Sequence, residues 1–277
     1  MNFKLVSDSS SNVFAMPGVP FQSVPLKIIF GDREYVDQPG IDTAKMVAEL
    51  EMHKGGSGTS CPNVQEWYDA FGDADWVYGV AITSNLSGSW AAGAQAARDY
   101  EEDHPGRRAF ILDSLSAGPA LALMLEDALA AVEAGGDFET VRSAMVESQK
   151  HNKLIFCLQS LNNLARNGRV SPAVAKIAGI LGIRMVGRAS DEGTLEPLHK
   201  PRGEAKALEV MLRQMEQDGY KGGRVRITHG LNPAGAEAFR ALIAAKYPQA
   251  DITVGNNTGL CTFYAEKGGI MVGFSDL

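Results

Sequence analysis

An apolar run followed at once by a hydroxyl-rich turn and an alanine-rich segment is the feature that most restricts the fold. The run WVYGVAI (residues 76–82) is typical of a buried strand, and residues 90–100 are typical of a helix. Between them lies TSNLSGS (residues 83–89). A strand that ends where a helix begins presents unpaired backbone N–H groups and the positive end of the helix dipole, which together suit an anion. The pattern therefore predicts an α/β fold with an anion site at this junction.

Two further segments in the first 120 residues are also rich in hydroxyls and also precede helical patterns. GTSCPN (residues 58–63) precedes a helical pattern at residues 64–71. DSLSAG (residues 113–118) lies between an apolar strand at 109–112 and a helical pattern at 119–132. Open α/β folds bind ligands in a crevice at the carboxyl ends of their strands. We therefore expect the three segments to share one crevice. The alternative at each segment is that a serine only caps the following helix.

The class of anion is narrowed by the motifs that are missing from the sequence. No segment matches G-x-x-x-x-G-K-[ST], the phosphate-binding loop, and none matches the dinucleotide motif G-x-G-x-x-G. The predicted ligand is therefore a carboxylate or a simple phosphate rather than a nucleotide.

Strand and helix patterns alternate along the whole chain, which predicts an α/β fold with two lobes. A chain of 277 residues is near the length at which one core divides into two. Residues 1–150 are expected to form a lobe with a mainly parallel sheet flanked by helices. Short segments at 183–198 predict a hairpin, and hence a mixed α/β sheet in a second lobe of residues 151–277. Interfaces between lobes are common ligand sites, so we place the site there.

Composition argues against several classes of partner. The net charge is −7 and no Lys/Arg run occurs, which argues against a nucleic-acid partner. No uncharged apolar run approaches the ~20 residues that span a bilayer, and the first residues do not resemble a signal peptide, so we expect a cytoplasmic, non-spanning protein. Cys61, Cys157 and Cys261 lie far apart and form no CxxC, so neither a metal site nor a disulfide is predicted.

Seven short motifs follow one another along nearly the whole chain. They are DSSSN (8–12), PLKIIFGDREYVD (25–37), TSCPN (59–63), TSNLSGS (83–89), DSLSAG (113–118), GRVS (168–171) and KPRGEAKA (200–207). In this order they resemble the motifs of the DegV family, the bacterial fatty-acid-binding proteins.

The resemblance implies a function. It implies a long-chain fatty acid in a tunnel between the lobes, no other cofactor, and presentation of the carboxyl to a separate fatty acid kinase, the catalytic subunit that makes an acyl phosphate. The chain would then be a carrier rather than an enzyme. Arg169 would lie on the rim that meets the kinase, where a guanidinium suits phosphate or carboxylate. The predicted ligand-binding residues are Thr59, Ser60, Ser84, Ser87, Asn257 and Thr258.

The chain departs from the family pattern at two of these segments. NTGLC (residues 257–261) stands where the family has H-T-G-P-G, so Asn257 replaces a histidine. Asparagine can donate a hydrogen bond but cannot carry charge. Cys61 and Asn63 replace Gln and Ser of the T-S-Q-P-S motif.

Two other functions are compatible with parts of the sequence. Ser84, Ser87 and Ser116 at strand-to-helix turns could indicate a serine hydrolase, although no G-x-S-x-G motif occurs and none of the five histidines is an obvious partner. The chain could also be a regulatory interaction protein whose pocket no longer binds a ligand.

Overall fold

The computed structural model describes residues 2–178 and 180–276, which form three β-sheets surrounded by helices. In chain order the elements are β1 (Phe3–Asp8), β2 (Phe21–Val24), β3 (Lys27–Phe30), β4 (Arg33–Val36), α1 (Thr43–Met52), β5 (Ser57–Ser60), α2 (Val64–Phe71), β6 (Trp76–Ala81), α3 (Ser89–Asp103), β7 (Arg108–Asp113), α4 (Pro119–Glu133), α5 (Phe138–His151), β8 (Asn152–Leu158), α6 (Asn162–Arg166), α7 (Pro172–Ala178), β9 (Met185–Ala189), β10 (Leu195–His199), α8 (Glu204–Gln217), β11 (Arg224–His229), α9 (Pro233–Lys246), β12 (Asp251–Asn256), α10 (Gly259–Ala265) and β13 (Ile270–Ser275).

The first half contains a four-stranded parallel sheet in the order β2-β1-β6-β7, which confirms the prediction. Strand β6 is apolar throughout because both of its faces are covered. Val77 and Ala81 pack in the core cluster formed with α2 and α3, whereas Tyr78 and Val80 pack in the cluster formed with α4 and α5.

The second half contains a six-stranded mixed sheet in the order β10-β9-β8-β13-β11-β12, and this prediction is also confirmed. Within this sheet, β11 and β12 are the one pair of neighbouring strands that run parallel. Strands β9 and β10 form the hairpin predicted from residues 183–198. Helices α8 and α9 cover one face, where Met211, Phe239 and Phe274 are fully buried.

Helix α4 covers the other face of the mixed sheet and also packs on β6 of the parallel sheet. The backbones approach so closely that a Cβ at Gly273 would lie 2.5 Å from the Pro119 carbonyl group. The Arg226 guanidinium donates to both Glu126 carboxylate oxygens, at 2.7 and 2.8 Å. One helix from the first half is therefore shared by both large sheets.

A small antiparallel sheet, β4-β3-β5, also joins the two halves. The strand-like segments at 24–30 and 34–36, separated by the turn residues GDR, predict its β3–β4 hairpin, whereas β5 was not predicted. Helix α10 of the second half packs on this sheet, where Phe263 meets Ile28 and Met46. The lobe boundary predicted near residue 150 falls where α5 passes into β8, and the two-lobe division stays a prediction. No helix within residues 2–178 or 180–276 is long and apolar enough to cross a bilayer.

Candidate functional site

A cavity lies between the two halves of the chain. Each of the three hydroxyl-rich segments contributes to its wall, through Thr59, Ser87 and Ala117 respectively. Most of the wall is apolar, as a site for a hydrocarbon requires. The apolar residues are Leu26, Ile82, Leu86 and Ala117 from the first half and Leu154, Phe156, Leu158, Leu164, Leu195, Leu260, Ala265 and Met271 from the second.

The polar side chains of the cavity form one group. The Thr59 hydroxyl and the Tyr264 hydroxyl share a hydrogen bond of 2.8 Å. The Arg169 guanidinium lies 5.9 Å from the centre of the Tyr264 ring, and its Nε donates to the Leu86 carbonyl at 3.2 Å. Ser87, next to Leu86, also lines the cavity. Tyr264 was not predicted, because an aromatic residue in a short apolar helix is indistinguishable from core in the sequence.

The Ser87 hydroxyl is available as a hydrogen-bond donor. Its oxygen accepts the backbone N–H of Ser89 at 3.2 Å, at the start of α3. Among the described residues no group accepts the Ser87 O–H, although one hydroxyl can donate and accept together. Ser87 is therefore a helix-start acceptor and also a free donor at the cavity wall.

Asp8 already occupies the start of α3 on its inner side. Its carboxyl group accepts the Ile82 backbone N–H at 3.0 Å, the Ser89 hydroxyl at 2.7 Å and two bonds from Ser10. Burial raises the pKa of this fully enclosed carboxyl. The anion-binding geometry that the sequence predicts after β6 is thus partly filled by the protein's own acid.

Asp37 has the same function at the start of α10. It accepts the backbone N–H groups of Gly259 and Leu260, at 2.6 and 2.9 Å, and the Thr258 hydroxyl at 3.1 Å. Burial raises the pKa of Asp37 as well. Thr258 is buried, contacts the Asn12 amide oxygen at 2.9 Å and does not line the cavity.

Three other predicted ligand residues also lie outside the cavity wall. The Ser60 hydroxyl donates to the Cys61 carbonyl at 3.3 Å. Ser84 is exposed, and its backbone N–H donates a hydrogen bond to the Asp113 carboxylate at 3.0 Å. Asn257 is buried, and neither polar atom of its side-chain amide has a partner among the described residues. A ligand role for these residues, and for Thr258, stays a prediction.

Among the hydrogen bonds of the described residues, none joins a serine hydroxyl to a histidine, as a serine hydrolase would need. No group of three or more His, Cys, Asp or Glu side chains within 2–178 and 180–276 could hold a metal ion. What the cavity offers is an apolar enclosure with hydroxyl donors and one cation grouped together.

Comparison with known proteins gives the family. A protein-family model described as "uncharacterised protein, DegV family" matches residues 2–276 of this chain. The chain belongs to the DegV family. A DegV domain-containing protein from Streptococcus pyogenes serotype M1 is 36% identical over 99% of this chain and 99% of its own.

Two solved DegV structures are similar over the full length. A DegV family protein from Eubacterium eligens, loaded with heptadecanoic acid, is 38% identical, with a TM-score of 0.96 and 99% of each chain covered. The Streptococcus pneumoniae Fatty Acid Kinase (Fak) B3 protein, loaded with linoleic acid, is 35% identical, with a TM-score of 0.97 and 100% of each chain covered. The predicted DegV fold is therefore confirmed.

Proposed function

We propose that this chain binds one long-chain fatty acid in the cavity between its halves. The observation that carries the proposal is an apolar cavity whose polar side chains are confined to one group. The structures loaded with heptadecanoic and linoleic acid support it, since both are at least 35% identical to this chain. Burying a 16-carbon tail at ~0.8 kcal/mol per CH₂ gives roughly 12 kcal/mol before costs. Immobilising the ligand offsets a substantial part of this.

The carboxyl group lies, in this proposal, beside Thr59 and Ser87. A buried carboxylate without partners costs several kcal/mol, so it must meet donors. Ser87 offers an uncommitted O–H, and the Thr59–Tyr264 pair can turn one proton toward the ligand. Asn257 is a further candidate because its buried amide is unpaired.

The proposed partner is a separate fatty acid kinase that phosphorylates the presented carboxyl group. Similarity to the Fak B3 protein supports this assignment. Arg169 is proposed to lie on the surface that meets the kinase, since this residue lines the cavity and is partly exposed. In this proposal the chain is a carrier that binds no nucleotide itself.

Mass spectrometry tests the proposal directly. Protein produced in bacteria is extracted under denaturing conditions, and about one fatty acid per chain is expected. A portion stripped of lipid is then offered palmitate and oleate. Protein that carries no lipid and takes up neither acid would contradict the proposal. It would then favour an interaction protein with an empty pocket.

A further inference from the structure

One face of strand β8 forms the floor of the cavity and continues beyond it. Alternate residues of a strand point to the same face, so Leu158, Phe156, Leu154 and Asn152 form one row. The first three line the cavity, whereas Asn152 lines a separate crevice. Leu154 lines both spaces and is itself almost fully buried.

The polar group of the cavity lies toward the Leu158 end of this row. Helix α10, which carries Tyr264, leads into β13, and the register of β13 places Ile270 opposite Cys157 and Gly273 opposite Leu154. Helix α6 follows β8 directly, and the carbonyl of its Leu164 accepts the backbone N–H of Arg169 at 2.8 Å. Leu154 is therefore at the end of the cavity away from the carboxyl site.

The crevice behind Leu154 is unsuited to hydrocarbon. The Arg188 guanidinium lies 2.6 Å from the Asp218 carboxylate there, and Lys153 contributes a second cation. The Ser116 hydroxyl and the Asn152 amide oxygen are buried without a partner among the described residues. The methyl end of an acyl chain placed against these groups would exclude water from them and would offer no hydrogen bond in its place.

We infer that Leu154 is the end wall that limits the length of the acyl chain this protein accepts. The inference rests on the proposed fatty-acid-binding function. Leu154 separates an apolar space from a polar one, and Ala117 and Ser116 face the same two spaces from the loop before α4. A longer tail must displace Leu154 or fold back, and both are unfavourable in a packed interior.

The test compares substitutions at the two ends of the row. Lipid-free wild-type protein, Leu154→Ala, Leu154→Phe and the matched control Leu158→Ala are each offered an equimolar mixture of myristate, palmitate, stearate, arachidate and behenate. Bound acids are separated from free acids by gel filtration and quantified by mass spectrometry. Thermal melting shows which variants are folded.

Leu154→Ala should raise the bound ratio of stearate to palmitate by about tenfold, the effect of burying two more methylenes. Leu154→Phe should shift binding toward myristate, and it tests the wall in the opposite direction if the alanine variant does not fold. Leu158→Ala widens the cavity beside the proposed carboxyl site and not at its far end, so it should change the bound ratios less than Leu154→Ala does.

The wall assignment is overturned if folded Leu154 variants bind fatty acids with wild-type ratios, or if Leu158→Ala shifts them equally. Those results would leave fatty-acid binding itself intact. Wild-type protein that takes up none of the five acids would instead overturn both the binding function and the wall.

Discussion

The helix starts of this chain are of two kinds. At α10 the donors are satisfied from within, because Asp37 accepts the N–H groups of Gly259 and Leu260. At the polar group of the cavity, donors remain available, because the Ser87 O–H has no acceptor among the described residues. Both kinds look alike in the sequence, as short hydroxyl-rich segments before a helix.

The difference shows that a donor near a helix start is available to a ligand only when the protein itself leaves that donor without an acceptor. Asp8, the last residue of β1, and Asp37, which follows β4, are remote in sequence from the groups they accept, and they supply the acceptor that those backbone N–H groups need. Such acids stabilise the fold. Ser87 and Thr59 have no such partner, and they face an apolar cavity instead.

The largest effect should come from removing an internal acid. Asp8→Ala leaves the Ile82 N–H and the Ser89 and Ser10 hydroxyls buried without their acceptor, so we expect a loss of at least about 3 kcal/mol in the free energy of unfolding. Urea denaturation measures it. The control is Asp42→Ala, an exposed cap of α1 that should cost about 1 kcal/mol. Equal losses would mean that Asp8 is only an ordinary cap.

Ser87→Ala should instead affect the ligand more than the fold. Losing a hydrogen bond to a charged carboxylate costs about 1.5–3 kcal/mol, which corresponds to at least a tenfold weaker fatty-acid affinity by calorimetric titration. Ser84→Ala is the matched control, because Ser84 belongs to the same segment but is exposed and outside the cavity wall. If the two variants bind equally well, the carboxyl group does not lie at Ser87.

Asn257→Leu tests whether the bound ligand supplies the hydrogen-bond partner that the buried Asn257 amide lacks. Removing two unsatisfied polar atoms at nearly constant volume should raise the stability of the ligand-free protein by about 1 kcal/mol. If the amide bonds the bound carboxyl, affinity should fall by about fivefold in the same variant. Greater stability with unchanged affinity would place Asn257 outside the binding site.

The smallest effect concerns His229, an internal acceptor at the start of α9. Its Nδ1 accepts the Asn232 N–H at 3.3 Å, and burial lowers its pKa. Because the pKa of His229 is lower in the folded protein than in the unfolded chain, its contribution to stability is complete above the unfolded pKa near 6.5. That contribution is lost as the pH falls through the folded-state pKa. Urea denaturation between pH 7 and 5 should therefore show a loss of stability that His229→Gln abolishes. An unchanged pH slope in the variant would assign the loss to other groups.

Much of the fold is predictable from local patterns. Helix α2 lies at its predicted bounds because Asn63 caps it with a reciprocal bond from Glu66, a signal carried by neighbouring residues. Strand β5 was missed because Ser57–Ser60 contains no large apolar residue, and it pairs with β3 through backbone groups alone. The five-residue α6 was missed because one turn gives no periodicity.

The site is only partly predictable, for a different reason. Thr59, Ser87 and Arg169 were found through motifs, and all three line the cavity. The internal roles of Asp8 and Asp37 were missed, because Asp37 meets Gly259 across 222 positions of chain. No local sequence pattern shows which hydrogen-bond donors the protein itself already satisfies.

Helix α4, shared by both large sheets, has a consequence for the way the molecule can be divided. A break near residue 150 would leave the mixed sheet without the helix that covers one of its faces, and would expose the side of α4 that meets it. Neither fragment would be self-sufficient, so co-expressed fragments should be recovered only as a complementing pair. The intact chain should lose both sheets in one cooperative transition, and ligand bound between the halves should raise its midpoint without splitting it.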